Sequence, residues 1–288
     1  MLQKDFYKEV EKIGKLKHIL YGDTDSIFIL IPVNTQNLTP EEKWKIAEKS
    51  AEDINTLITK YVTQHLLPRC NINPKNNKTY FKTELLMDSA MFLEVKKQYA
   101  YKLLIQEGNV LDPPKVEYTG IQVVKSDAAK LTQNLLKEMI EGVILNSEYP
   151  DMEKLQQITY VVNKFKAKFN QDLKEFNFHD IGFPGKWGKK SHLIHGMTLY
   201  NLITKHETFG VGSAGRFIYC KFINPPVLPK EVSLKDTKGI CIPYEYNVEE
   251  LKVLLEKFGI VPDENIQWNK LFTTTCQRVV DLAKTLKR

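Results

Sequence analysis

Asp23 and Asp25 stand one residue apart in the hexapeptide Tyr21-Gly22-Asp23-Thr24-Asp25-Ser26. Apolar strings flank it, His18-Ile19-Leu20 before and Ile27-Phe28-Ile29-Leu30-Ile31 after. That pattern predicts two strands joined by a tight turn, with Gly22 supplying backbone freedom. Alternation along a strand places both carboxylates on roughly the same side of the hairpin tip. Two carboxylates held together repel unless a cation lies between them. Hard oxygen ligands of this kind suit Mg²⁺, which takes one or two carboxylates and leaves positions for phosphates. The chemistry implied is metal-assisted phosphoryl transfer. Two other readings stay open on the residues alone. Asp and Thr cap turns with their own side chains. A D-x-D pair also serves nucleotide-sugar glycosyltransferases. That reading predicts a nucleotide-sugar-binding α/β domain ahead of the motif, for which the residues before Tyr21 leave no room.

A second candidate is Phe92-Leu93-Glu94-Val95-Lys96-Lys97-Gln98-Tyr99-Ala100. Its apolar alternation predicts a strand. Lys96, Lys97 and Tyr99 offer cations and a hydroxyl to a phosphate backbone. The bland alternative is a solvated Lys-Lys pair that discourages edge pairing. Lys186, Trp187, Lys189 and Lys190 lie among glycines that let a phosphate backbone approach closely. On their own they also read as a solvated basic loop.

Taken together, these segments resemble family B DNA polymerases. YGDTDS resembles the third polymerase motif, and residues 92–100 resemble the KKRY element with Gln98 in place of Arg. The resemblance implies that Asp25 binds the catalytic metals and that Asp23 shapes their geometry. The stretch from Gln98 through Glu107-Gly108 to Tyr118-Thr119-Gly120-Ile121-Gln122, then Lys125-Ser126-Asp127, is similar to T-even phage polymerases. There it forms the end of the palm and the entry to the thumb. Phe183-Pro184-Gly185-Lys186, His195-Gly196-Met197-Thr198-Leu199-Tyr200 and Asn269-Lys270-Leu271-Phe272 look like thumb segments, more loosely. The thumb of this family grips duplex DNA through its backbone, which implies that role for Lys186, Lys189 and Lys190.

Other family strings do not occur in the sequence: the acidic exonuclease motifs, D-x-x-S-L-Y-P-S and K-x-x-x-N-S-x-Y-G. The resemblance therefore implies an α+β chain. Residues 1–122 would be the C-terminal part of a palm, an antiparallel sheet with covering helices. Residues 123–288 would be a largely helical thumb. The implied activity is DNA-directed DNA synthesis, with primer-template DNA and a dNTP as substrates. The two-metal Mg²⁺ site would be completed by a partner chain, the N-terminal half with exonuclease, fingers and the rest of the palm. Met1 and a self-consistent first helix favour a natural split product over a fragment. The rival expectation is a non-catalytic DNA-binding or processivity subunit, or an inactive remnant. No short apolar tail follows Lys287-Arg288, so clamp contact through such a tail is not expected.

Composition narrows the class. An apolar fraction of 42% and a charged fraction of 26% suit a globular protein. A net charge of +6 permits a polyanionic partner without requiring one. Cys70, Cys220, Cys241 and Cys276 are scattered without a C-x-x-C, so no zinc ribbon or iron–sulfur site is supported. Such usage suits a reducing compartment. No signal peptide is visible, and no apolar run reaches the ~18 residues of a membrane span. A cytoplasmic location without membrane partners is expected.

Coarse patterning supplies the elements that must position these residues. A helix is expected over 2–14. Thr39-Pro40-Glu41-Glu42 is a capping box opening a helix that closes before Pro68, with Ala47, Ala51, Ile54, Ile58 and Tyr61 on its apolar stripe. Strands are expected at 79–86, 91–105 and 115–124. A helix at 127–145 would be capped by Ser126, and another would open at Pro150 and run to 176. A Gly-rich loop at 179–191 precedes a helix at 192–205. Gly210, Gly212 and Gly215 read as loop glycines, since no strand precedes them. Strands at 216–224 and 238–243 lead to helices at 247–259 and 270–285. Lys164, Lys166 and Lys168 read as solvated, and alternate positions cannot share one helical face. His192 and His195 lack a carboxylate or thiol cluster nearby and are not expected to bind metal.

Overall fold

The computed structural model describes residues 19–22, 26–31, 37–124, 128–186, 193–204, 212, 214–223, 230, 232, 239–244, 248–273 and 275–286. The expected helix at 2–14 and Ser126, Trp187, Lys189, Lys190, His192 and Gly210 lie outside them, as do Asp23 and Asp25. The architecture is α+β, with small sheets and helices alternating along the chain. The chain divides into two compact units, residues 1–88 with 102–115 and residues 89–101 with 116–288.

In the first unit, β1 (Ile19–Gly22) pairs antiparallel with β2 (Ile27–Ile29). Helix α1 (Pro40–Tyr61) starts at the predicted capping box. The Thr39 hydroxyl accepts from Glu42 N at 3.3 Å, and Thr39 N donates to Glu42 Oε2 at 2.9 Å. Pro40 opens the helix, where a missing N–H costs nothing. The predicted stop before Pro68 does not occur. A π turn (Val62–Leu66) and a last turn (Leu67–Arg69) continue the helix, with Pro68 at the start of that turn. Ile54, Ile58, Val62 and Leu67 form one buried cluster, against which Ile27, Ile29 and Phe81 pack. Asn55 fixes Phe81 by donating to its carbonyl at 2.6 Å and accepting from its N–H at 2.7 Å.

A three-stranded sheet runs in the order β3 (Leu85–Phe92), β4 (Tyr99–Gln106), β5 (Asn109–Thr119). Each strand has residues in both units. The strand expected over 91–105 is interrupted. Residues 94–97 form a turn, closed by Leu93 N donating to the Gln98 carbonyl at 2.9 Å and Gln98 N to the Val95 carbonyl at 3.2 Å. Lys97 takes the left-handed region there, with φ of 59°. Gly120 faces it with φ of 66°, and a Cβ on Gly120 would stand 2.0 Å from the Lys97 carbonyl oxygen.

The second unit is built on helices. α2 (Lys130–Met139) begins after Ala129, without a side-chain cap, three residues later than the start expected at 127. A π turn (Ile140–Ile144) extends it. α3 (Asp151–Lys174) follows Pro150, then α4 (Leu193–Thr204), α5 (Val248–Phe258), α6 (Glu264–Phe272) and α7 (Thr275–Thr285). The helix expected over 270–285 is broken because Thr273 adopts extended backbone, with ψ of 166°. Leu135, Leu136, Met139, Ile158, Phe169, Leu271, Cys276 and Val279 share the core. The Phe169 ring meets Trp268 at 5.3 Å, and Trp268 stacks on Phe272 at 5.6 Å. Truncating one of these leucines to Ala removes about 2–5 kcal/mol. A third sheet joins this core. β7 (Ala214–Phe222) pairs antiparallel with β6 (Phe183–Lys186), β8 (Gly239–Pro243) and β9 (Ile260–Pro262). Thus residues 183–186 of the expected Gly-rich loop are strand, and Gly215 lies in β7 opposite Gly185.

The three alternate lysines of α3 go to three different partners. Lys164 pairs with Glu138 at 2.7 Å. Lys166 lies over the Trp268 ring at 5.8 Å. Lys168 contacts Asp172 at 2.5 Å and Asp180 at 3.7 Å. Burial pushes the Asp180 carboxyl up, but the His179 hydrogen bond and the Lys168 and Lys130 charges outweigh it. The carboxyl is held below its usual value.

Gly120→Ala should destabilise by clearly more than Gly259→Ala. Both glycines have left-handed φ, of 66° and 60°, but a Cβ on Gly259 meets nothing within 4 Å. Gly259→Ala therefore costs about 1–2 kcal/mol of backbone strain alone, and Gly120→Ala adds a backbone clash. Urea denaturation of both variants checks the order. Lys168→Ala strips a cation from Asp172, whose side chain is 7% exposed, and should cost about 1–3 kcal/mol. Asp180 adds a pH signature. Its lowered folded pKa contributes stability above the unfolded carboxylate pKa, and that contribution is lost as pH falls below about 4. Lys168→Ala should shrink this acid-side loss, as measured by thermal unfolding from pH 7 to pH 3.

Candidate nucleic-acid interface

The β1–β2 ladder ends at Gly22↔Ile27, so residues 23–26 connect the strands, as the sequence pattern predicts. The preceding pair, Tyr21↔Phe28, brings two rings edge-on at 5.8 Å. Asp23, Thr24 and Asp25 of this connection lie outside the described residues. Their chemistry fits a hard divalent cation, because two carboxylates are the protein's usual share of a Mg²⁺ site. Among the described residues, no group of three or more His, Cys, Asp or Glu gathers as an alternative metal site.

Lys96, Lys97 and Tyr99 are brought together on one turn. Lys96 and Lys97 are exposed in the 94–97 turn, and Tyr99 is the first residue of β4. The sequence places the lysines on a strand. The turn forms without a glycine of its own because Lys97 accepts the left-handed backbone and Gly120 makes room for its carbonyl. Two aromatic neighbours accompany Tyr99. Its ring stacks on Tyr101 at 6.2 Å and meets Phe92 at 5.8 Å. Burial pushes the Tyr101 hydroxyl up, with Glu117 and Tyr99 adding to the shift, so it stays protonated at neutral pH. Cations beside aromatic faces are the combination that holds a phosphate backbone and stacks a base.

Sequence reasoning missed two contributors to this turn. Tyr101 lies two residues after Tyr99 on the same strand, so alternation alone marks it as a neighbour. Arg278 carries no such signal. It reaches from α7 and donates to Gln98 Oε1 at 2.9 Å across 180 positions of chain.

Lys186 ends β6, paired with Ala214. Only its backbone is described, and Lys189 and Lys190 lie outside the described residues. The strand before it is secured by Arg216, paired with Pro184, whose guanidinium donates to the His179 carbonyl at 2.7 Å. No helix among the described residues is long and apolar enough to cross a membrane.

Comparison with known proteins bears on this arrangement. No curated protein matches the chain. Among solved structures, the family B DNA polymerase from the hyperthermophilic archaeon Pyrobaculum calidifontis is similar at 16% identity, with a TM-score of 0.41. The likeness covers 88% of this chain and 28% of that one, and at this distance it carries no argument. The family model for DNA polymerase family B matches residues 3–183, well over half of the chain. That span includes the β1–β2 hairpin, the Lys96-Lys97-Gln98-Tyr99 turn and Gly120. The chain belongs to DNA polymerase family B.

Proposed function

We propose that the chain supplies the end of a palm, residues 1–122, and a thumb, residues 123–288, to a DNA-directed DNA polymerase of T-even phage type. The observation that carries this reading is the Asp23-Thr24-Asp25 connection. It joins two paired strands inside the region that matches the polymerase family. The reaction is attack of a primer 3′-hydroxyl on the α-phosphate of a dNTP, releasing pyrophosphate. Asp25 and Asp23 would hold Mg²⁺, which when bound stabilises charge on the attacking and leaving oxygens. Lys96 and Lys97 would hold primer-strand phosphates, and the Tyr99 hydroxyl would orient the primer end. Such positioning lowers the barrier by several kcal/mol when the reacting atoms are held in line. Lys186, Lys189 and Lys190 would grip the duplex backbone.

The remaining parts would come from an N-terminal half: a further metal-binding Asp, a triphosphate-binding Lys and the exonuclease. The first unit supports the need for a partner. Among the described residues its β1–β2 sheet has two strands, and Ile27 and Ile29 of β2 pack on the α1 cluster. Leu20 on β1 and Leu30, just after β2, are 49% and 50% exposed.

Primer extension tests this reading. The chain alone should not extend a primer, and the chain combined with the N-terminal half should. Asp25→Ala should reduce extension by the complex at least about 10²-fold while duplex binding stays nearly unchanged. A variant with near-normal turnover would make the D-x-D pair a turn cap. Replacing Lys186, Lys189 and Lys190 with Ala should weaken duplex binding equally on every sequence. It should also flatten the plot of log affinity against log salt by up to about 2.7. An unchanged slope would place these lysines in solvent.

A further inference from the structure

We infer that Arg278 is a phosphate-binding residue of the Lys96-Lys97 turn, delivered from the last helix and aimed by Gln98. The inference rests on the proposed role of that turn in holding a DNA backbone. Three observations carry it. First, Arg278 Nη1 donates to Gln98 Oε1 at 2.9 Å, which places a guanidinium against the residue that follows the two lysines in the chain. Second, its partner is neutral. An amide oxygen orients a guanidinium without cancelling its charge, and four further N–H groups remain for a bidentate oxyanion contact. Among the described residues, no carboxylate forms an ion pair with Arg278, whereas Lys164 and Lys168 of α3 are each paired with one. Third, both partners are fixed. α7 is anchored by the buried Cys276, Val279 and Ala283. Gln98 is set between the hydrogen bonds that close the turn, with Gly120 against the Lys97 carbonyl.

The charge balance gives Arg278 weight. Glu94 lies in the same exposed turn and offsets one of its two lysines. Arg278 adds one further positive charge, held on the neutral Gln98. At position 98 itself, an Arg would stand against Arg278, and two guanidiniums in contact repel. The neutral Gln98 is the residue type that lets Arg278 occupy the site. The ligand is a backbone phosphate of duplex DNA, bound without regard to base sequence.

Fluorescence anisotropy of the full chain with a labelled primer–template duplex, over a range of salt, tests the inference. Arg278→Ala should lower the slope of log affinity against log salt by about 0.9, the value of one phosphate contact. Its penalty relative to wild type should then be about 3.5-fold larger at 50 mM than at 200 mM salt. Arg278→Lys should keep the slope. Gln98→Glu should lower the slope while leaving the melting temperature unchanged or higher, because it neutralises the guanidinium with an ion pair. The double variant Gln98→Arg with Arg278→Gln exchanges donor and acceptor and should restore the slope. Unchanged slopes for Arg278→Ala and Gln98→Glu, with a lower slope for Lys96→Ala, would overturn this inference and leave the role of the turn intact. No salt-dependent duplex binding by the wild-type chain would overturn both.

Discussion

A backbone-to-backbone contact sets the geometry of the basic turn. Gly120 comes so close to the Lys97 carbonyl that no side chain fits between them. Lys97 in turn holds a left-handed conformation that costs a non-glycine residue about 1–2 kcal/mol. The surrounding structure supplies that energy. Ile121, next to Gly120, is fully buried, as is Ala100, two residues after Gln98. Strain at Lys97 is thus held between two buried anchors. This fixes where Lys96 and Tyr99 stand, and it leaves Gln98 where Arg278 can reach it.

The net charge of +6 is distributed unevenly in its chemistry. Part of the positive charge is committed to the fold. Lys43 and Lys102 both lie near Asp88, at 4.0 and 3.7 Å. Lys164 and Lys168 serve Glu138, Asp172 and Asp180. Lys270 lies over the Tyr219 ring at 5.8 Å. A polyanion approaching the chain is attracted by the whole field, but it is gripped only by cations that a fold-forming carboxylate does not neutralise. Lys96 is exposed and Arg278 is held by a neutral amide, so they are chemically unlike the α3 lysines, which have the same sign and similar density in the sequence.

Much of this was legible in the sequence, for local physical reasons. The Thr39–Glu42 capping box, the two paired strands on either side of Asp23-Thr24-Asp25, the helix opening at Pro150 and the stop at Gly259 all rest on contacts within a few residues. The metal role read for the D-x-D pair rests on the resemblance carried by the full hexapeptide, and Asp23 and Asp25 lie outside the described residues. What the sequence hid depends on distant partners or on unfavourable local choices. The turn at 94–97 contains no glycine, and its apolar alternation continues past it, so it reads as strand. The relief comes from Gly120, more than twenty residues later. β6 exists because residues 183–186 pair with β7, a partnership no local pattern announces. The break between α6 and α7 falls in a threonine run that reads equally well as helix. The Arg278–Gln98 hydrogen bond spans 180 positions and follows only from the folded core.

Lysine acetylation footprinting, read by mass spectrometry with and without primer–template duplex, tests the central claim most directly. That claim is that the Lys96-Lys97 turn faces the DNA backbone while the α3 lysines serve the fold. The account predicts that duplex strongly slows acetylation of Lys96 and Lys97. Lys164 and Lys168 should react at the same slow rate in both conditions. Equal acetylation of Lys96 and Lys97 with and without duplex, at concentrations where binding is complete, would contradict it.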